Sequence, residues 1–331
     1  MKALTASVGV IILAVAALGA AVAPFVAPHA VDARFPELLN APPTRVRVRD
    51  EAGRWRRPFI YPWLRVSQLE QRYEPDRTTP VPLQWFGGRG LISSSAPTRA
   101  PLLWLGADGY GRDVFSRVLH GARLSLGLAV LASLGAMVLG TALGAVAGYV
   151  GGTLDDFFMR ASDFVLVLPA MYVALALRSV MPLVLTPGAV FLSMLGIFAI
   201  MGAPFFSRGV RAVVRAERAL DYAVAATSLG ASHARVLVRH LLPAARGFIA
   251  VELTLLVPAF IVAEATLSYV GLGFPDPVAS WGTMLHEGSS IRAFADFPWL
   301  LSPAFAMFLV VLALNLVLQA RDVPPHVDRP L

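Results

Sequence analysis

Cysteine is absent from this sequence, and lysine occurs once, at Lys2. Without thiols there is no disulfide framework, no thiolate metal site and no cysteine nucleophile. Without lysine beyond the second residue, no G-x-x-x-x-G-K-[ST] loop can be written, so the side chain that reaches nucleotide β- and γ-phosphates in such loops is missing. If ATP drives this protein, hydrolysis is expected on another chain. Charge is scarce as well: 15% of the 331 residues are Asp, Glu, Lys or Arg, against 56% hydrophobic, with a mean hydropathy of +0.65. That balance belongs in a bilayer. The formal charge of +7 is therefore read as arginine beside anionic lipid heads and in cytoplasmic loops rather than as a nucleic-acid surface.

Enzyme signatures are missing too. His286-Glu287 begins like a zinc-protease motif, but Ser290 stands where the second histidine would be. No G-x-S-x-G elbow occurs. His29, His120, His233, His240 and His326 are scattered without ligand spacing. No catalytic residue, metal or cofactor is expected.

What is abundant is uncharged length. No charge falls between Arg123 and Asp155, between Arg178 and Arg208, or between Asp296 and Arg321. A bilayer core of roughly 30 Å takes about 20 apolar residues as helix. The stretches Ala3–Pro28, Leu124–Val150, Phe164–Leu177, Met181–Phe206, Phe248–Val270 and Pro298–Ala320 give an all-α polytopic protein of about six spans. The first resembles a signal peptide in its Lys2 and small residues. It is nearly twice the length of a signal core of about 7–15 residues, which favours an uncleaved anchor. With both termini in the cytoplasm, the arginine-rich loop 208–247, carrying Arg208, Arg211, Arg215, Arg218, Arg235, Arg239 and Arg246, also lies there. The organisation expected is an anchor at 1–28, an outer insertion at 29–118, a transmembrane domain at 119–322 and a cytoplasmic tail at 323–331.

Thr44 to Tyr61 alternates, turns at Gly53 and alternates again, which predicts a β-hairpin in the insertion. Gln68–Tyr73 reads as a short helical piece and Gly87–Arg99 as linker. Arg54, Trp55, Arg56 and Arg57 with Phe59 and Tyr61 read either as a patch for an acidic partner or as a solvated strand face, with the second favoured.

Four blocks carry a family resemblance. Gly106-Ala-Asp-Gly-Tyr-Gly-Arg-Asp-Val-Phe-Ser-Arg117, followed by Gly121-Ala-Arg-Leu-Ser-Leu126, holds Asp108, Gly111, Arg112 and Asp113 in a glycine-rich turn that opens a span. With no strand before it and no lysine after it, this is a turn and not a phosphate cradle. Gly148-Tyr-Val-Gly151-Gly152 predicts a tight reversal, and Gly140, Gly144 and Gly148 repeat at a spacing on which another helix packs closely. Asp221-Tyr-Ala-Val-Ala-Ala-Thr-Ser-Leu-Gly230 runs on to His240-Leu-Leu-Pro243 and predicts two short helices, the first ending at Gly230 and the second capped by Ser232. Lastly come Glu264-Ala-Thr-Leu-Ser268-Tyr-Val-Gly-Leu-Gly273 and Ser280-Trp-Gly-Thr-Met-Leu285.

These blocks resemble, in order and spacing from Trp104 to Asp322, the permeases of dipeptide, oligopeptide and nickel ABC importers. The third is similar to the cytoplasmic E-A-A-x-x-x-G loop of importer permeases, with Val224 where that pattern has Glu. The resemblance implies a type I importer permease in a bacterial cytoplasmic membrane. Its implied partners are a second permease, two ATPase subunits, an extracytoplasmic substrate-binding protein and membrane lipids. It implies further that Asp221, Ala225, Ala226, Gly230, His240, Leu242 and Pro243 meet the ATPase. Read by itself, that loop is also compatible with an amphipathic helix on the membrane surface. Glu264, with Ser268 close by, either lines the path or bonds a neighbouring helix; for Asn315 interhelical bonding is favoured. The alternative function is a non-transporting membrane scaffold or exporter accessory.

Overall fold

The computed structural model describes residues 2–50, 53–87, 90–168, 170–180, 182 and 185–321. The uncharged runs are helical. Helices α1 (Lys2–Val26), α2 (Val114–Val150), α5 (Pro187–Arg218), the helical stretch His233–Tyr269 and the last segment Pro298–Gln319 are, among the described residues, the five long and apolar enough to cross a membrane. At 37 residues, α2 is about 55 Å long, well beyond the roughly 30 Å hydrocarbon core.

The remaining expected span, Phe164–Leu177, is divided. Helix α3 (Gly152–Val167) ends where Leu168 turns extended, at φ −72° and ψ 127°, and α4 (Ala170–Val180) follows. The cause is in the sequence: position 169 is proline, which disfavours helical backbone in the residue before it. With 16 and 11 residues, neither piece reaches the length of about 20 that a span needs. The predicted tail 323–331 lies outside the described residues.

The chain divides into two compact units. The first comprises Met1–Ser125 and Ser268–Ala320. Its insertion contains β1 (Arg47–Arg49), β2 (Trp55–Ile60), β3 (Trp63–Ser67), β4 (Arg72–Pro75), β5 (Val81–Trp85) and β6 (Ile92–Ser94). A four-stranded antiparallel sheet has the order β1-β2-β5-β6, and β3-β4 form a separate hairpin. The predicted hairpin is present, with Arg47 opposite Phe59, Arg49 opposite Trp55, and Gly53 at φ 74° in the turn. Gln68–Tyr73, expected as helix, is instead the turn into β4. The period-two patterns on either side pair as strands and leave too few residues between them for a helix. The linker expected at Gly87–Arg99 contains β6, which bonds to β5.

Two small apolar cores support the insertion, one of Ile60, Val81, Ala100 and Leu102, the other of Leu38, Ala41, Leu103 and Ala107. Full burial of a side chain such as Ile60 or Leu102 contributes about 1.5–3 kcal/mol. Gly9 sets the approach of α1 to α11 (Ser302–Arg321): a Cβ there would lie 2.8 Å from the Ala313 carbonyl.

The second unit is Leu126–Leu267 with Arg321–Leu331. Here the glycine stripe of α2 finds its partner, which is α5. A Cβ at Gly140 would overlap the Ala203 carbonyl, one at Gly144 the Ser207 carbonyl, and one at Gly148 would sit 2.7 Å from that of Arg211. Helix α3 is tied to α5 by the Asp155–Arg211 fork (2.6 Å twice), the Ser162–Ser207 hydroxyl pair (3.1 Å) and Asp163–Arg208 (3.3 Å). The reversal from α2 to α3 uses Gly151 and Gly152 at φ 72° and 64°, where L side chains are strained. Helices α6 (Asp221–Ser228), α7 (His233–Val236) and α8 (Arg246–Tyr269) complete this unit; α9 (Trp281–Glu287) and α10 (Ile291–Asp296) belong to the first.

Candidate functional site

The segment between α5 and α8 is built as two short helices around a Schellman turn. Gly230, at φ 82°, donates its N–H to Thr227, and Ala231 donates to Ala226, which satisfies the last carbonyls of α6. Ser232 caps α7 by accepting from Arg235 N at 3.4 Å. The chain then widens into a π-turn at Leu237–Leu241 and tightens to 3-10 at Leu242–Ala245. Pro243 accounts for the irregularity, because it has no N–H to give and its ring crowds the carbonyl four residues back.

An apolar cluster holds this loop to the helices. Ala223, Val236, Leu241 and Ala245 are buried with Ala145 of α2 and with Val210 and Val214 of α5, and Ala226 and Leu242 pack against them. The Tyr149 hydroxyl meets His233 Nδ1 at 2.6 Å, and Arg218 donates to the Tyr149 carbonyl. Asp155 is held below the usual carboxylate range by the hydrogen bonds from Arg211.

The face turned away from the cluster is exposed and mixes apolar side chains with Asp221, Arg235, Arg239 and His240. Leu229 is 88% accessible, with Leu220, Tyr222, Val224 and Val238 exposed near it. Of the residues selected from sequence, Asp221, Ala225, Gly230, His240 and Pro243 are exposed, whereas Ala226 and Leu242 face the cluster.

In the first unit, the Gly106–Arg117 block forms a compact turn. Asp108 accepts from Tyr110 N and Arg112 N (2.9 Å each) and from Arg112 Nε (2.7 Å). Gly106 and Gly111 adopt φ 76° and 73° with the carbonyls of Ala41 and Phe35 against them. Arg112 and Arg117 are 0% and 1% exposed. Arg112 reaches Asp108, Asp276 (2.5 Å) and Glu287 (2.7 Å); Arg117 reaches Glu287 (3.1 Å) and Asp108 (3.5 Å). Two buried guanidinium groups thus share three carboxylates, a network that fastens the start of α2 to the segment 276–287. Desolvation raises the Glu287 carboxyl against the pull of the two arginines. Asp113, the cap of α2, accepts from Ser116 Oγ (2.5 Å), yet burial pushes it up to about 7.

Sequence reasoning selected Asp108, Arg112 and Asp113 but missed Arg117, Asp276 and Glu287. Arg117 stood inside the quoted block. Asp276 and Glu287 are some 160 residues away in sequence, and nothing local signals the contact.

Glu264 is fully buried and Ser268 nearly so, and each makes an interaction. Asn315 differs from expectation. It is exposed and donates to Val311 O in its own helix at 2.8 Å instead of bonding a neighbouring helix. In lipid an amide meets its hydrogen-bond need most cheaply on the nearest free carbonyl lone pair.

Helices of spanning length, a glycine-mediated helix pair and a docked helix-turn-helix define a polytopic α-helical membrane protein. Residues 140–320 match the family described as binding-protein-dependent transport system inner membrane component. Similar proteins include the glutathione transport system permease protein GsiD of Pectobacterium atrosepticum, 36% identical over 214 residues, 65% of this chain and 69% of that protein. The dipeptide transport system permease protein DppC of Alkalihalophilus pseudofirmus is 35% identical over 215 residues, covering 65% and 68%. The oligopeptide transport system permease protein OppC of Bacillus subtilis is 36% identical over 215 residues, again 65% and 68%. The chain belongs to this family of inner-membrane permease subunits.

Proposed function

We propose that this permease forms, with a second permease, the path of an importer for peptides or similar solutes, driven by two separate ATPase subunits and supplied by an extracytoplasmic binding protein. The observation that carries the reading is the set of exposed apolar side chains, Leu229 foremost, on the 221–243 helix-turn-helix, which is seated on α2 and α5 through its opposite face. A rigid element fastened to two spans, with large apolar side chains on its free side, suits a groove in another protein and transmits that protein's motion into the helices. The similarity to glutathione, dipeptide and oligopeptide permeases supports peptide cargo. The lysine-poor sequence supports ATP hydrolysis on other chains.

In this reading the loop 208–247 and both termini are cytoplasmic. Residues 1–28 anchor the chain, 29–118 face outward, and 119–322 make up the transmembrane domain with the tail 323–331 after it. Asp221, Ala225, Gly230, His240 and Pro243 lie on or beside the ATPase contact, while Ala226 and Leu242 hold the loop in place. Asp108, Gly111, Arg112, Asp113, Gly151 and Gly152 shape the turns at either end of α2, and Glu264 and Ser268 serve the path or the bundle.

The test is Leu229→Glu. With its side chain in the open, the change leaves the apolar cluster untouched, so thermal unfolding of the solubilised protein is expected to match the wild type. Copurification of ATPase subunits from native membranes is expected to fall about tenfold or more, the loss of one central interface residue. ATPases recovered in full with the variant would overturn the coupling role.

A further inference from the structure

The insertion holds a cavity of about 560 Å³ lined by Arg45, Arg47, Arg77, Tyr61, Trp63 and Trp299, with Tyr73 and three prolines completing its wall. Six other arginines of this unit reach a carboxylate, Arg34 with Asp276, Arg54 and Arg56 with Asp50, Arg65 with Glu37, Arg72 with Glu74, and Arg99 with Asp76, while Arg49 rests over the Trp55 ring. Arg45 and Arg47 are exposed and pair with no carboxylate among the described residues; Arg47 rests over the Tyr61 ring, 5.5 Å from its centroid. Across residues 29–103 there are twelve arginines against seven Asp and Glu, an excess of five positive charges.

The walls are stiff. Pro42, Pro43 and Pro75 fix backbone, and the Tyr73 hydroxyl is committed to the Leu39 carbonyl at 2.6 Å. Trp299 connects the cavity to the membrane part of its own unit. Its indole N–H donates to the Ala107 carbonyl at 3.0 Å, it stands against Gly106, and α11 begins three residues later. The Arg45 and Arg47 guanidinium groups, over an aromatic, preformed hollow, match a carboxylate on a short side chain with an apolar neighbour.

We propose that this cavity is a docking site for an acidic segment of the extracytoplasmic binding protein, an Asp or Glu carboxylate held between Arg45 and Arg47 with its neighbour on the aromatic wall. The inference rests on the importer reading and deepens it by placing the partner's contact on the insertion. Charge of one sign at an exposed site acts mainly on association rate and fades with salt.

The experiment uses the full chain, purified with the subunits that accompany it and placed in nanodiscs, with the binding protein of the same transport system in solution. Arg45→Glu with Arg47→Glu is expected to lower affinity about tenfold or more, chiefly in the association rate, and to flatten its salt dependence. Arg57→Glu makes the same kind of charge change on the neighbouring strand, outside the cavity, and is expected to stay within about twofold. Equal losses from Arg57→Glu and from the cavity variant would reduce the effect to the general field and overturn the site. So would a cavity variant that binds like the wild type, or one that loses only its attraction to phosphatidylglycerol vesicles, which would assign the arginines to lipid. If the wild-type assembly captures no binding protein, the importer reading fails and this site with it, an outcome distinct from failure of the cavity variant alone.

Discussion

Asp113 shows how one buried carboxyl at the mouth of α2 bears on stability. In the unfolded chain it titrates near 3.8, and in the folded protein burial raises it to about 7. The folded state therefore holds the proton more tightly. Its stabilising contribution is complete below pH 3.8 and is lost as pH rises through about 7. Glu287, also raised by burial, acts in the same direction. The thermal midpoint of the solubilised protein is expected to fall between pH 5 and pH 8, and Asp113→Asn, which keeps the cap but cannot ionise, is expected to reduce that slope. A slope unchanged in the variant would assign the pH dependence elsewhere. Gly230 illustrates backbone constraint without crowding. It sits at φ 82° with nothing near where a Cβ would be, so Gly230→Val is expected to cost about 1–2 kcal/mol by conformation alone. Gly230→Asn, which tolerates this region, is expected to cost less. Equal midpoints for the two variants in thermal unfolding would contradict the argument.

Among elements, the close pairing of α2 with α5 governs the second unit. At Gly144 any side chain would run into the Ser207 backbone, which cannot move away as a flexible side chain does. Gly144→Leu is expected to destabilise by at least about 1–3 kcal/mol and to lower the yield of monodisperse protein. Gly127→Leu in the same helix, where a Cβ meets nothing, is the matched control. Equal yields for the two would show that the contact is not formed in the membrane. The small-residue spacing was legible in the sequence, but its partner was not, because the pattern states only that something approaches closely. The divided third span was legible in principle through Pro169, and the hydrophobic run concealed it. Gln68–Tyr73 does not show its turn locally, because strand pairing is a property of two segments and neither one alone records it.

For the molecule as a whole, topology is the measurable consequence. The absence of cysteine gives a clean background for single-cysteine labelling. Arg57→Cys is expected to react with a membrane-impermeant maleimide added outside intact spheroplasts, and Leu229→Cys only in inverted vesicles. Reaction of both from the same side would refute the orientation proposed above. Both positions are exposed, so access and not burial decides the outcome.

The amino-acid sequence by itself determined that this chain spans membranes, because uncharged runs of that length have no other stable solvent. It determined the lack of a nucleotide-binding lysine, and it placed the turn at Gly230, since cap residues and a glycine at fixed spacing are local features. The tertiary structure alone decided what lies across from what. It set Arg112 and Arg117 against Asp276 and Glu287, put Ala226 and Leu242 on the packed side of the loop and Leu229 on the open side, and left Arg45 and Arg47 beside an aromatic hollow. Those are pairings between distant segments, and a linear pattern records which residues are present without recording which ones meet.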